Sequence, residues 1–175
     1  MLEKRELKAF NHAVLPHLDA AYNLARWLAG NDQDAEDVVQ EASLRAFKYW
    51  KSFSGRDARP WFLAIVRNTF YSWVRERSAQ PVLTMDGELE EIDDGFPNPE
   101  TALLQNADRH LIQAALEDLP VEFREAIVLK EFEELSYKEI ADIAGVPIGT
   151  VMSRLSRARK RLQVYLTAAA VRKTP

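Results

Sequence analysis

A basic stretch near the carboxyl end of the chain carries the residues best suited to binding nucleic acid. From Thr150 to Pro175 the sequence contains seven Arg or Lys residues and no Asp or Glu. Guanidinium groups bind phosphates and the acceptor edge of guanine, so a helix rich in them suits duplex DNA. Apolar residues at helical spacing (Val151, Leu155, Ala158 and Leu162) predict that the opposite face presents Met152, Ser153, Arg154, Ser156, Arg157, Lys160 and Arg161.

The residues before this stretch predict a helix-turn-helix. Ser136 followed by Glu139 is a capping box, which predicts a helix beginning at Tyr137. Gly145 favours the left-handed turn that ends a helix, and Thr150 is the expected cap of the next one. A short helix, a glycine turn and a longer basic helix form a motif whose second helix fits the major groove.

Aromatic and basic residues are interleaved in a second region. The loop from 51 to 59 holds three basic residues, and Pro60 suits the first position of the helix that follows. Single-stranded nucleic acid binds aromatic faces through its bases and cations through its phosphates, although small helical domains also bury aromatics as core. Arg67, Arg75 and Arg77 are interleaved here with Trp61, Phe62, Phe70, Tyr71 and Trp73. Phe62 and Trp73 belong to a predicted buried stripe, whereas Trp61, Asn68 and Tyr71 fall largely outside it, and the residues alone leave both interpretations of the region open.

A third candidate surface lies on a helix predicted from about Asp34 to Trp50. Acidic residues come early along its polar face (Asp34, Asp37, Glu41), and basic residues come late (Arg45, Lys48). This order matches the helix dipole, so the face is either an ordinary solvated surface or a docking surface for another protein.

Composition narrows the class of protein. The chain has 175 residues, a net charge of −4, no cysteine and three histidines without metal-ligand spacing. Disulfides and thiolate metal sites are therefore excluded, and we predict neither a metal nor a cofactor. We expect a cytoplasmic protein without membrane insertion, because the chain shows neither a signal-peptide pattern nor a long apolar run.

The pattern of apolar residues predicts an all-α protein with two small helical domains. Helical spacing recurs nearly everywhere, and strict alternation is absent. The stretch from Ala79 to Thr101 interrupts it with three prolines, two glycines, seven acidic residues and no basic one. We interpret it as an acidic flexible linker, 79–101, between domains 1–78 and 102–175. The second domain should contain a helix from 102 to 119 and another from Glu122 to Phe132.

The order of these features resembles the extracytoplasmic-function, or group IV, sigma factors of bacterial RNA polymerase. Residues 34–47 resemble the polymerase-docking helix of the family's σ2 domain, and residues 60–68 resemble the start of its promoter-melting helix. Residues 119–126, 136–141 and 149–159 resemble the family's σ4 domain, which carries the helix-turn-helix. The resemblance covers most of 10–77 and 103–166.

The resemblance implies a transcription initiation factor. Its partners would be core RNA polymerase, through the clamp helices and flap, promoter DNA and an anti-sigma factor, and we expect a role in a stress or envelope response. The resemblance implies polymerase contacts by Asp34, Asp37, Gln40, Glu41 and Arg45. It implies minus-ten contacts by Arg56, Arg59, Trp61, Asn68, Tyr71 and Arg75. It implies minus-thirty-five contacts by Thr150, Met152, Ser153, Arg154, Ser156, Arg157, Lys160 and Arg161.

Three other functions remain as alternatives. A sigma-like decoy would sequester an anti-sigma factor without contacting promoters. A helix-turn-helix repressor or activator would bind a palindrome as a symmetric dimer without polymerase. An enzyme is not expected, because the sequence has no nucleophile–base pair, phosphate-binding glycine loop or paired-carboxylate site.

Overall fold

The computed structural model describes residues 2–79 and 99–173, and it describes side chains for 3–79 and 107–173. The described residues form helices without any strand, so the all-α prediction is confirmed. Residues 80–98 of the predicted linker lie outside the described part of the chain. The helices are α1 (Leu2–Val14), α2 (Leu18–Ala29), α3 (Asp32–Tyr49), α4 (Ala58–Ser78), α5 (Pro99–Glu117), α6 (Val121–Ile127), α7 (Tyr137–Ala144) and α8 (Ile148–Lys173).

Helices α1 to α4 form the first group, with α2, α3 and α4 packed around a common core. Leu24, Val38, Phe62 and Val66 are each at most 1% exposed there. The Asp57 side chain accepts a hydrogen bond from the Arg59 amide (3.0 Å) and so caps α4. The helix therefore begins at Ala58, and the prediction that Pro60 opens it is wrong: Pro60 lies in its third position.

Helices α5 to α8 form the second group, which contains the predicted helix-turn-helix. The Ser136–Glu139 capping box is present, α7 begins at Tyr137, and Gly145 ends it with φ of 66°. Helix α8 begins at Ile148, ahead of Thr150, because the carbonyl of Pro147 already accepts a hydrogen bond from the Thr150 amide (3.0 Å). Thr150 is therefore not the cap that the sequence predicted.

The segment between α6 and α7 departs from regular helix. The single helix predicted from Glu122 to Phe132 is α-helical only to Ile127, and Val128–Phe132 is a π-helical turn. Glu134 then adopts a φ of 54°, in the left-handed region. Wider turns and positive φ angles re-aim neighbouring side chains, and here they lie beside Glu133, which contacts the first group of helices.

The two groups pack directly against one another. Helix α7 contacts α4, and α6 contacts α2. Buried apolar residues of both groups belong to one continuous cluster, which runs from Phe10 to Ala158. This packing therefore determines which of the predicted functional surfaces are accessible to a ligand.

Candidate nucleic-acid and polymerase interfaces

Burial fixes which face of α8 is available to a ligand. Val151, Leu155 and Ala158 are at most 1% exposed, so this side of α8 belongs to the core. The other side is open to solvent, and Met152 is 53% exposed. Among the predicted contact residues, Thr150 and Arg154 are half-buried, whereas Met152, Ser153, Ser156, Arg157, Lys160 and Arg161 are exposed.

Two cations near the middle of α8 have partners within the second group. The guanidinium of Arg159 donates to Glu131 (2.9 Å), and this hydrogen bond raises the pKa of Arg159. The guanidinium of Arg161 lies over the ring of Phe123, with 5.5 Å to the ring centroid. These contacts orient the helix on its own domain and leave Arg157 and Lys160 exposed beside them.

The predicted minus-ten residues occupy different environments along α4 and the loop before it. Trp61 belongs to an aromatic cluster, with ring centroids 4.9 Å from Phe53 and 6.0 Å from Trp50. This cluster holds the loop against α4, so Trp61 is partly core. Arg56, Asn68 and Arg75 are exposed, whereas Arg59 and Tyr71 are half-buried.

Arg59 and Tyr71 are half-buried because acidic residues of the second group contact them. Arg59 donates to the Glu133 carboxylate (2.9 Å), and Asn23 donates to the other oxygen of the same carboxylate (2.9 Å). On α6, Glu125 accepts from Arg67 (2.5 Å) and from the Tyr71 hydroxyl (3.4 Å). Each carboxylate is therefore bonded to donors of the first group through both of its oxygens.

Burial raises the pKa of two residues in this cluster, Glu125 and Tyr71. Burial raises the pKa of Glu125, although the Arg67 guanidinium beside it acts in the opposite direction. Burial, followed by the Glu125 charge, also raises the pKa of Tyr71, so its hydroxyl stays protonated and donates. The Arg67 guanidinium also lies over the Tyr71 ring at 4.5 Å, which joins these three residues into one unit.

The polar face of α3 is accessible and forms a groove with the opposite side of α4. Asp37, Glu41 and Arg45 line this groove from α3, and Thr69, Trp73 and Glu76 line it from α4. Arg45 donates to Glu41 (2.9 Å) one turn away. Gln40 is exposed nearby, and Asp34 is half-buried, with Arg77 at 3.5 Å and a hydrogen bond from Asn31 (2.7 Å).

The sequence did not identify the residues that join the two groups. Arg124 donates to the carbonyls of Leu116 and Glu117 at the end of α5, to that of Leu119 just after it, and to the Trp27 carbonyl of α2 (2.9 Å). Glu125 and Glu133 are 1% and 7% exposed. A charged residue within an apolar helix face is the signal that could have indicated such burial, since buried carboxylates need partners.

Comparison with known proteins assigns the family. The family model described as Sigma-70 region 2 matches residues 13–80, and the model described as Sigma-70, region 4 matches residues 109–162. The chain is 34% identical to the ECF RNA polymerase sigma-E factor of Escherichia coli, over 92% of this chain and 88% of that protein. The chain belongs to the ECF family of RNA polymerase sigma factors.

Two further sigma-factor relatives show similar agreement. The ECF RNA polymerase sigma factor SigE of Mycolicibacterium smegmatis is 35% identical over 94% of this chain, which spans 64% of the length of that relative. The RNA polymerase sigma-H factor of Pseudomonas aeruginosa is 31% identical, over 94% of this chain and 90% of that protein.

Two solved structures share the fold of this ECF chain. The sigma factor RpoE, in complex with the anti-sigma factor NepR from Bartonella quintana, has a TM-score of 0.75 at 32% identity, covering 91% of this chain and 98% of that chain. CnrH, in complex with the cytosolic domain of CnrY, has a TM-score of 0.65 at 25% identity, covering 93% and 90%.

Family membership establishes the general activity of this ECF chain. Sigma factors support promoter-directed initiation by RNA polymerase and are not enzymes. Across residues 2–79 and 99–173, none of the helices combines the length and apolarity of a membrane span. Among the side chains of residues 3–79 and 107–173, no group of acidic and histidine residues is arranged to hold a metal ion.

Proposed function

We propose that this chain docks on core RNA polymerase through α3, holds the melted minus-ten strand on α4 and reads the minus-thirty-five element with α8. The observation that carries this proposal is the gathering of Asp37, Glu41 and Arg45 along one groove, on the side of α4 opposite Arg67 and Tyr71. Docking on one side leaves the other side for DNA. The exposed polar face of α8 then provides a separate surface for duplex.

The α8 surface suits major-groove binding. Its N-terminal half presents side chains of the types that read base edges, and its core side is fully packed. Arg154 and Arg157 are proposed to contact base edges or phosphates, whereas Lys160 and Arg161 are proposed to contact phosphates.

On α4, exposed Asn68 and the ring of Tyr71 are proposed to hold a base removed from the stack. Arg56, Arg59 and Arg75 would neutralise the strand's phosphates, and Trp61 would keep the loop in place. A net charge of −4 predicts weak promoter binding by the free protein, with tight binding only when the domains are held on polymerase.

We also propose that this protein acts in the cytoplasm, is controlled by an anti-sigma factor and serves a stress or envelope response. The proposal is supported by the similar solved structure of RpoE, which was co-crystallised with the anti-sigma factor NepR. A decoy that binds an anti-sigma factor without directing transcription would use the same surfaces. Intact α8 and α4 arginines favour transcription, because a decoy does not need them.

The test is run-off transcription by purified core polymerase and this chain on a pool of genomic fragments. We expect specific transcripts that require the chain. Asp37→Lys should weaken core binding about tenfold, because it reverses a charge in the groove, whereas Glu36→Lys reverses the neighbouring exposed charge outside the groove.

Equal core affinity for the Asp37 and Glu36 variants would contradict the docking surface. Core binding without any specific transcript would favour the decoy function. A mobility-shift experiment in which the free chain binds promoters as tightly as the holoenzyme would contradict the prediction that tight promoter binding requires polymerase.

A further inference from the structure

The contact between the two helical groups lies on the face of α4 proposed to bind DNA. Arg59 and Tyr71 belong to the predicted minus-ten set, and Arg67 lies between them on the same face of the helix. Arginines and an aromatic ring along one helix face are the groups that bind phosphates and unstacked bases. In the structure these groups contact Glu125 and Glu133 instead.

The two acidic residues provide what a nucleic-acid strand would provide. Both Glu133 oxygens accept hydrogen bonds, from Arg59 and Asn23, and both Glu125 oxygens accept hydrogen bonds, from Arg67 and Tyr71. The Arg59 guanidinium also donates to the Glu133 carbonyl (2.5 Å). Carboxylates and phosphates bind guanidinium groups through the same charge-assisted hydrogen bonds, so both compete for the same donors.

The backbone around Glu133 is shaped for this contact. A π-helical turn at Val128–Phe132 precedes it, and Glu134 has a φ of 54°. Beside it, the rings of Phe132 and Trp27 are parallel within 3° at 5.9 Å, and Arg124 donates to the Trp27 carbonyl. Regular helix through this segment would aim Glu133 elsewhere, so the irregular turn and the contact belong together.

Building on the proposed function, we propose that Arg59, Arg67 and Tyr71 form one strand-binding surface on α4, and that Glu125 and Glu133 occupy it as a carboxylate clasp in the free chain. The clasp consists of these two carboxylates and their four donors: Arg59, Asn23, Arg67 and Tyr71. The strand can bind only after the second group has moved away. Docking on polymerase leaves the α3 groove engaged and separates the groups.

Neighbouring acidic residues offer a matched test of the clasp. Glu133 is bonded across the two groups, whereas Glu131, two residues earlier, is bonded to Arg159 within its own group. Glu133→Lys places a cation against Arg59 and should open the clasp, while Glu131→Lys changes the net charge equally. Comparing the affinities of the two variants therefore cancels the general attraction of an added cation for DNA.

The first measurement is binding of fluorescein-labelled oligo-thymidylate to the free full-length chain, by fluorescence anisotropy. We expect Glu133→Lys to bind about tenfold tighter than Glu131→Lys, since opening requires the loss of a charge-assisted contact. X-ray scattering should show a larger radius of gyration for Glu133→Lys alone. Equal affinity and equal dimensions for both variants, with helicity intact by circular dichroism, would overturn the proposal.

The second measurement needs no substitution. Amide hydrogen exchange around residues 125–134 of the wild-type chain should become faster on binding core polymerase, while exchange in α3 becomes slower. Unchanged exchange around 125–134, with α3 protected, would also overturn the clasp. Failure of the proposed function is distinct, because it would appear as a wild-type chain that supports no promoter-specific transcript, whatever the oligonucleotide and scattering results.

Discussion

Helices α4 and α8 are both proposed to face DNA, and the structure places them in opposite situations. The polar face of α8 is open, with Met152 53% exposed and Arg157 exposed beside it. The matching face of α4 is occupied by the chain itself, because Arg67 and Arg59 bind Glu125 and Glu133. Duplex DNA could approach α8 in this arrangement, whereas a single strand could not reach the whole α4 surface.

The difference follows from what each helix packs against. The core side of α8 is apolar, and on its outer side Arg159 pairs with Glu131 of the same group. Helix α4 is packed on both sides, by α3 and by α7. A binding surface between two domains can be regulated by their separation, whereas a surface on the outside of one domain cannot.

The largest expected effect tests the open surface. Arg154→Glu combined with Arg157→Glu should reduce promoter-specific transcription by the holoenzyme about a hundredfold, because each lost contact to base or phosphate costs roughly 1–3 kcal/mol. Core affinity, measured by co-sedimentation, should not change. The matched control is Arg172→Glu with Lys173→Glu at the far end of α8. Equal losses from both pairs would indicate general repulsion rather than readout.

The next effect tests the covered surface after it has opened. Tyr71→Ala should slow promoter opening by the holoenzyme about tenfold, since stacking of a base on an aromatic ring contributes about 1–3 kcal/mol. Permanganate footprinting of the melted region measures it. Tyr49→Ala removes an exposed tyrosine from the end of α3 and should leave opening unchanged. If both variants open promoters normally, Tyr71 does not contact the strand.

A smaller effect is expected when the clasp is opened by substitution in the holoenzyme. In the holoenzyme, Glu133→Lys should change promoter opening by less than about twofold relative to Glu131→Lys, because polymerase has already separated the groups. The same comparison in the free chain should give the larger difference described above. A difference that persists at full size in the holoenzyme would mean that Glu133 affects DNA binding by another route.

The smallest effect is a dependence on pH. Burial raises the pKa of Glu125 in the closed arrangement, so protonation favours that arrangement; the stabilisation is present at low pH and is lost as the pH rises through the raised pKa. Arg67, Tyr71 and Arg154 are the neighbouring groups that affect it. Oligo-thymidylate binding by the free chain should therefore weaken as the pH falls from about 7.5 to about 5.5.

Glu125→Gln serves as the control for this titration, because it cannot titrate at this position. Its binding should vary less with pH than that of the wild-type chain. An identical pH profile for both would assign the dependence to groups other than Glu125.

Local chemistry was sufficient to predict much of the second group of helices. The capping box at Ser136, the left-handed Gly145 and the apolar spacing of Val151, Leu155 and Ala158 were all read correctly from neighbouring residues. Each of these features depends on contacts within a few positions along the chain. The errors at Pro60 and Thr150 were also local, since Asp57 and the Pro147 carbonyl begin the helices earlier than predicted.

The same reasoning could not predict that Arg67, Glu125 and Glu133 form contacts between the two groups of helices. Arg67 and Glu125 are 58 positions apart in the sequence, and Arg59 and Glu133 are 74 apart. Nothing in helical periodicity specifies which domain face meets which. The π-helical turn that precedes Glu133 also lacks a sequence signature in this stretch.

The sequence by itself determined the helical class, the helix-turn-helix and the three polar surfaces that family membership connects with polymerase and promoter. These depend on periodicity, capping and charge order, which are properties of short segments. Only the tertiary structure decided that the α3 groove and the α8 face are open while the α4 face is covered. That outcome depends on which buried carboxylates find donors across the domain contact, and a carboxylate removed from water must find them wherever the fold brings them.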